Sequence, residues 1–349
     1  MENLDFPKFI SFTVTNLCNL RCRMCGQWSE EGYISNRKVN PGSQMRLADW
    51  KRLVDEIANY DISFILIRGG EPFLFRGIIE LVEYINGKGI FISIDSNGML
   101  LDKYAADIVR IGNMHITFSV DGPEQIHDQV RGSQGSFQRI KKNIALLNDL
   151  EKKNDSRISK SICFTISQYS YEGLGEMPDV ARKLSIESIN IVPYYYYPAE
   201  IGQKYEDELK TNFECAAYSW RGFHHDSSGI DFNIFKREYR KYLKKLNGIE
   251  NFPFMKFTED DYRKWFTDSL TAVGSIACMN VEKLIDIQPN GDANFCVDFP
   301  DYPIGNVKET SIKKLWDSQK ASKFRRFRRA RPLSICYRCG AKYISELNG

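Results

Sequence analysis

Three thiols crowd into the stretch TNLCNLRCRMCGQW as Cys18, Cys22 and Cys25, and four more stand far downstream as Cys278, Cys296, Cys336 and Cys339. A deprotonated cysteine is a soft metal ligand and a strong nucleophile, so clustered thiols signal metal ligation or thiol chemistry unless they pair as disulfides. Pairing is disfavoured here. The 349-residue chain has nine cysteines, an odd number, and its first residues carry no basic region followed by an apolar run. Three ligands at C-x3-C-x2-C, set among Asn16, Asn19, Arg21 and Arg23, make a poor core segment but can curl around one inorganic centre. Structural zinc takes four ligands, whereas an iron–sulfur cluster held by three cysteines leaves one iron free for an outside ligand. The downstream set, two separated cysteines and a C-x2-C pair, could close either a zinc site or a cluster with no open iron.

The elements that must hold these groups are legible as an alternation. Residues 8–14, 62–68, 90–95, 115–120, 161–167 and 187–193 are short runs rich in Ile, Val, Phe and Thr, bounded by turn residues, and read as six strands. Between them RLADWKRLVDEIANY, FRGIIELVEYINGKG, LDKYAADIVRIG, SFQRIKKNIALLNDLEKK and GEMPDVARKLS repeat apolar residues at three and four, the period of helices. Strict alternation implies a parallel sheet, as an incomplete barrel or an open doubly wound sheet, with ligands at the carboxyl ends of the strands.

Four polar motifs fall in order at those ends. RGGEP after the second strand supplies Gly69, Gly70, Glu71 and Pro72; SNG after the third supplies Asn97 with Ser96; SVDGP after the fourth supplies Ser119 and Asp121; and HDQVRG supplies Arg131. Each alone is ordinary turn punctuation. With C-x3-C-x2-C in the loop after strand one, the series resembles the signature of the radical S-adenosylmethionine (SAM) enzymes. The resemblance covers residues 8–195 and implies a (β/α)6 partial barrel, with Cys18, Cys22 and Cys25 holding a 4Fe–4S cluster whose fourth iron is reserved for SAM. It implies cosubstrate contacts from Gly69, Gly70, Glu71, Pro72, Asn97, Ser119, Asp121 and Arg131, and from Met24, which stands where many members carry an aromatic residue. CVDFPDYPIGNVKETSIKKLW resembles the carboxyl-terminal SPASM and twitch extensions of that family. This implies a second 4Fe–4S cluster on Cys278, Cys296, Cys336 and Cys339, without an open iron and suited to electron transfer.

Outside the motifs, Cys163 shares one face of the fifth strand with Ser161, Thr165 and Ser167, the face that would line a barrel lumen. Cys215 lies in NFECAAYSWRGF and could cap the cavity. Either thiol is a candidate hydrogen donor to a substrate radical, and each also reads as a small packed residue. Tyr194 to Tyr197 end the sixth strand, where they could bind a ring, gate radicals or pack as an aromatic seam. The run from Lys308 to Arg331 is strongly basic and reads as a solvated helix face or as a dock for an anionic partner such as a flavodoxin- or ferredoxin-type reductant.

From residue 198 the alternation stops, and helical patterns without strands suggest an insertion over 198–275. LIDIQPNGDANFCVDF then reads as a hairpin about Pro-Asn-Gly-Asp. The expected fold is therefore α/β, a partial barrel over 1–197, the helical insertion, and a small α+β hairpin-containing iron–sulfur domain over 276–349. A net charge of +3, with 42% hydrophobic residues and no long apolar run, fits a globular cytoplasmic protein and excludes a membrane span. The expected activity is reductive cleavage of SAM and removal of a hydrogen atom from an unactivated carbon, most simply in a two-electron oxidation of a small, sugar-like molecule. A cysteine-dependent epimerase and a peptide-modifying maturase remain alternatives, although strand one begins too early for an amino-terminal leader-binding domain. A non-catalytic zinc or iron–sulfur protein that binds nucleic acid is the rival of another class, and Glu71 in its G-G-E-P setting argues against it.

Overall fold

The computed structural model describes residues 5–340 apart from 37, 41, 254, 275 and 276, so the outer ends of the expected first and last domains lie outside the described residues. All six expected strands form: β1 (Phe9–Thr15), β2 (Phe64–Gly69), β3 (Ile92–Ser96), β4 (Met114–Ser119), β5 (Ser159–Ile166) and β6 (Ser188–Pro193). They pair in parallel in chain order, with α1 (Leu47–Ile57), α2 (Ile78–Gly87), α3 (Ala105–Ile111), α5 (Ser136–Asn154) and α6 (Met177–Leu184) between them. Alternation along the strands sets the layers. Ile65, Ile67, Ile92, Ile94, Ile116, Phe118, Ile162, Phe164, Ile189 and Ile191 are at most 1% exposed and share one core with Leu53, Leu81, Ile108, Ile144 and Ala181 of the helices. Each fully buried side chain of this size contributes about 1.5–3 kcal/mol. The opposite face is polar and only half-buried, carrying Arg68, Ser93, Asp95, His115, Thr117, Ser119, Cys163, Thr165 and Asn190. This polar face is the one that lines the inside of an open (β/α) barrel, the expected fold.

Two elements differ from the sequence expectation. Helix α4 (Glu124–Arg131) precedes α5; it buries His127, Asp128 and Arg131 beside Val130, so it has no apolar stripe to read. In the insertion, β7 (Glu250–Asn251) pairs with β6, two residues being too few to show a period. The insertion is otherwise helical, with α7 (Ala199–Phe213), α8 (Phe232–Lys245) and α9 (Glu259–Thr267). The left-handed Glu214 (φ 54°) stops α7, which leaves Cys215 beyond the helix.

The expected hairpin is present as β8 (Leu284–Ile287) and β9 (Asp292–Asn294), preceded by α10 (Asn280–Lys283). β8 hydrogen-bonds in parallel to β1, and β10 (Gly305–Asn306) extends the other side of β9, giving the strand order β10-β9-β8-β1-β2-β3-β4-β5-β6-β7. The basic run forms two helices, α11 (Ile312–Trp316) and α12 (Gln319–Ala330), the second capped by the Ser318 side chain. Its arginines are not all solvated. Arg325, 1% exposed, donates to the Val281 and Trp316 carbonyls, each at 2.7 Å, and lies 4.0 Å over the Trp316 ring, partners that offset the cost of burying its charge. No helix among the described residues is long and apolar enough to cross a membrane.

Candidate active site

The loop after β1 presents Cys18, Cys22 and Cys25 at the carboxyl ends of the strands. Backbone N–H groups of Leu20 and Trp28 donate to the sulfurs of Cys18 (3.5 Å) and Cys25 (3.3 Å), and the Arg131 guanidinium donates to Cys22 Sγ at 3.6 Å. Such donors favour thiolates. Burial opposes them, pushing Cys18 up to about 12 and Cys22 up to about 11, and the mutual repulsion of the thiolates adds to the rise. Three neighbouring sulfurs, each with a donor aimed at it, two of them held back from ionising by burial, fit a positively charged iron centre that would supply the missing stabilisation. α4 anchors this loop: Arg23 N–H donates to the Val130 carbonyl at 2.9 Å, and Gly132, at φ 63°, packs where a Cβ would stand 2.8 Å from the Arg21 carbonyl.

The G-G-E-P turn is built against the cysteine loop. Gly70 and Glu71 N–H groups donate to the carbonyls of Thr15 (2.8 Å) and Leu17 (2.7 Å), and a Cβ on either glycine would strike those same residues. The fully buried Glu71 carboxylate ties the ends of β2 and β3, accepting from Ser96 Oγ and Asn97 N–H at 2.8 Å and from Phe73 N–H at 3.2 Å. Burial pushes it up to about 7, against the pull of those donors. Pro72 opens the 3-10 turn that follows. The Asn97 amide reaches Asn19 Oδ1 in the cysteine loop at 2.9 Å. Arg131 bridges Cys22 to Asp121, 2.6 Å from its Oδ2, while Asp121 Oδ1 accepts from Thr165 N–H at 3.2 Å. Ser119 faces the lumen opposite Cys163, and Met24 is buried in the main core. These residues converge, therefore, but Arg131 and Glu71 already have protein partners where sequence reasoning assigned them directly to a ligand.

The second set also converges. Cys278, Cys296, Cys336 and Cys339 line one cavity with Phe295, Asp298, Phe299 and Arg328. Burial and the neighbouring thiolates push the Cys296 thiol well up. Burial works against the Arg328 charge, but the four sulfurs more than compensate and hold it above the usual arginine range. Four thiols and a buried arginine suit a closed anionic cluster. Of the two candidate hydrogen donors, Cys163 faces the lumen, its thiol pushed up to about 12 by burial and by Asp95 and Asp121. Cys215 does not join it: its sulfur donates to the Asp301 carbonyl at 2.7 Å. The tyrosine run is largely a seam. Tyr196 and Tyr197 donate to the carbonyls of Phe266 (3.3 Å) and Ile335 (3.0 Å), and Tyr194 and Tyr195 stack at 6.1 Å.

One group escaped the sequence reading. Arg68 pairs with Asp298 at 3.0 Å, and the two keep 21% and 19% of their side-chain surface exposed. Tyr195 donates to the other oxygen of Asp298. Asp95 is held above the usual carboxylate range by burial, and Asp286, hydrogen-bonded by Thr13 at 3.4 Å, is pushed up to about 6 by the same cause. The available signal was a charged residue standing on the polar face of each of two apolar strands, Arg68 on β2 and Asp95 on β3.

A family model for the radical SAM superfamily matches residues 12–178, and one for the SPASM iron–sulfur cluster-binding domain matches residues 278–340. The Fe-coproporphyrin III synthase of Methanosarcina barkeri is 26% identical over 193 residues, 55% of this chain and 44% of that protein. The sporulation killing factor maturation protein SkfB of Bacillus subtilis is 26% identical over 178 residues, 51% of this chain and 39% of that protein. Each match thus spans less than half of the relative's length. Among solved structures, Streptococcus suis SuiB bound to S-adenosylmethionine superposes with a TM-score of 0.64 at 14% identity, over 93% of this chain and 69% of that one. Native anSMEcpe with bound AdoMet gives 0.58 at 18% identity, over 90% and 82%. At these identities the structures bear on the fold alone.

Proposed function

The chain is a radical SAM protein with a carboxyl-terminal SPASM iron–sulfur domain, and from that premise we propose that it removes a hydrogen atom from a small polar molecule and completes a two-electron oxidation. When bound, the 4Fe–4S clusters and SAM supply reductive cleavage of the sulfonium and a radical able to attack an unactivated C–H bond. The chain's own residues position and enclose. Cys18, Cys22 and Cys25 would hold one cluster, and Cys278, Cys296, Cys336 and Cys339 the other. Glu71 locks the ends of β2 and β3 beside the first loop, Arg131 keeps Cys22 and Asp121 in register, and the curved sheet excludes bulk water from the reacting carbon.

The polar lumen carries the choice of substrate. Arg68, Asp95, Thr117 and Cys163 stand just below the strand ends, and Asp298 and Tyr195 close the wall toward the second cysteine cavity. A hydroxylated or amine-bearing molecule finds donors and acceptors there. The test is oxidation in deuterium oxide: a product two mass units lighter, without solvent label at the reacting carbon, supports this reading. Cys163 favours a second reading, epimerisation, because its thiol faces the same lumen. Stoichiometric deuterium at an inverted carbon, abolished in a folded Cys163→Ala variant, would establish that reading instead. A peptide would serve as substrate by inserting one side chain, and the maturation protein SkfB keeps that class in view.

A further inference from the structure

The charges on the polar face of the sheet do not balance. Strand register sets Thr13 beside Arg68, Asp95 beside Thr117, and Asp286 of β8 beside Ser11, while Asp298 reaches Arg68 from the segment after β9. Among the described residues, three carboxylates thus gather about one guanidinium. Burial works against the Arg68 charge, but Asp298, Asp286 and Asp95 together hold it above the usual arginine range. His115, next below Thr117 on this face, adds no cation: burial lowers its affinity for a proton, and its ring nitrogens lie 2.8 Å from the Ser159 and Ser161 hydroxyls. The three carboxylates are not equally open. Asp298 is taken by Arg68 and Tyr195. Asp286 is fully buried and holds the side chains of Thr13 and Gln288. Asp95 is only half-buried, and among the described residues its carboxylate is hydrogen-bonded by the Thr117 side chain alone. Phe9, Phe64 and Leu284, earlier on the same strands, join Val297 in a separate apolar cluster that floors this charged layer.

Strand β6 offers unmet partners on the same face. Asn190 stands beside Cys163 in the register, and its Oδ1 is buried without a hydrogen-bond partner among the described residues. Tyr194 continues the ladder, its N–H donating to the Ile166 carbonyl at 2.9 Å, so alternation carries its side chain to the face of Asn190. It is 6% exposed, and its hydroxyl too is buried without a partner. Its ring lies 6.3 Å from that of Phe223, which presses on Gly26 in the three-cysteine loop. Burial first, then Asp95 and Asp121, raise the Cys163 thiol, so the open carboxylate and the orphaned groups of β6 border one space. Resting on the reading above, we infer that the substrate carries an ammonium group and that Asp95 is the residue that selects it. An ammonium concentrates one charge and three donors on a single atom. Asp95 and the Thr117 hydroxyl accept from it, and it supplies the cation that the layer lacks. A hydroxyl elsewhere on the substrate meets Asn190 and Tyr194, groups that are costly to leave unpaired. A free amine and the lysyl side chain of a peptide present the same ammonium.

The experiment measures binding by ligand-observed NMR on the reconstituted holoenzyme with SAM, using matched pairs of probes: ethanolamine and ethylene glycol, glucosamine and glucose, Nα-acetyl-lysine amide and Nα-acetyl-norleucine amide. At least one amine should bind about tenfold more tightly than its neutral partner. A preference greatest in the first two pairs marks a free amine as the source, and one greatest in the third marks a lysyl side chain. Asp95→Asn should bring each pair to within about twofold, and Asp95→Glu, which keeps the charge, should restore most of the preference. Should Asp95→Asn fail to fold, Thr117→Val, which removes the flanking hydroxyl, should cut the preference about threefold; an unchanged preference there counts against the proposal. Equal binding within every pair overturns it, as does a preference that survives in folded Asp95→Asn or is abolished instead by Asp286→Asn. Absence of 5'-deoxyadenosine formation by dithionite-reduced wild type would sink the functional reading, while the amine preference still decides the role of Asp95.

Discussion

Replacing Glu71 by glutamine tests how the strand ends are tied, because its carboxylate accepts three hydrogen bonds at once from Phe73, Ser96 and Asn97. A glutamine amide turns one acceptor into a donor facing other donors. The expected cost is about 1–3 kcal/mol, read as a lower urea midpoint with an unchanged slope. A midpoint equal to wild type would mean that the carboxylate holds nothing together. A sharper case is Gly70→Ala, whose methyl group would strike the Leu17 carbonyl; the cysteine loop must shift, so iron incorporation into the first centre should fall while the sheet's circular dichroism persists. Full iron loading in that variant would contradict the geometry. At this scale the three-cysteine loop and the G-G-E-P turn were readable because their ligands are neighbours in the chain. Arg68, Asp95 and Asp298 were not, since a lone charge in a strand has no meaning until the sheet curls and brings residues 230 positions apart to 3.0 Å.

Helix α4 is the element whose absence from the sequence reading matters most, because it carries Arg131 and anchors the cysteine loop. It also caps its successor. The Asp128 carboxylate accepts from Gly135 N–H at 2.6 Å, Ser136 Oγ at 2.8 Å and Phe137 N–H at 2.9 Å, at the start of α5. Burial works to raise this carboxyl, but those bonds win and hold it below the usual carboxylate range. A depressed carboxyl stabilises the fold above its unfolded value, near pH 3.9, and that contribution disappears as pH falls through the lower folded value. Asp128→Ala should therefore cost about 1–2 kcal/mol at neutral pH. The gap to wild type should close in strong acid, as followed by urea titrations across pH. A gap independent of pH would show that packing, not the carboxylate, is responsible. The eight-residue helix was illegible because what it buries is chiefly polar, and β7 because two residues carry no period; α1, α2, α3, α5 and α6 were legible by their apolar stripes.

Across the whole molecule, the carboxyl-terminal segment is joined to the barrel by backbone bonds: β8 lies along β1 from Phe9 to Phe12, paired with residues 284 to 287. No local pattern announces a pairing between segments some 275 residues apart, so the hairpin could be read from its turn while its place in the sheet could not. A chain truncated before Cys278 would expose the β1 edge, and such edges associate; size exclusion should find oligomers or aggregates rather than a monodisperse monomer. The seven cysteines grouped by this assembly should hold about eight irons per chain after anaerobic reconstitution, with about four remaining when Cys18, Cys22 and Cys25 are replaced together by alanine. The most direct measurement is the formation of 5'-deoxyadenosine from SAM by the reconstituted, dithionite-reduced protein, set beside that triple variant. Wild type should release 5'-deoxyadenosine and methionine, and the variant should release neither while keeping its second cluster. Equal release by both, or none by wild-type protein that carries its full complement of iron, would contradict the account.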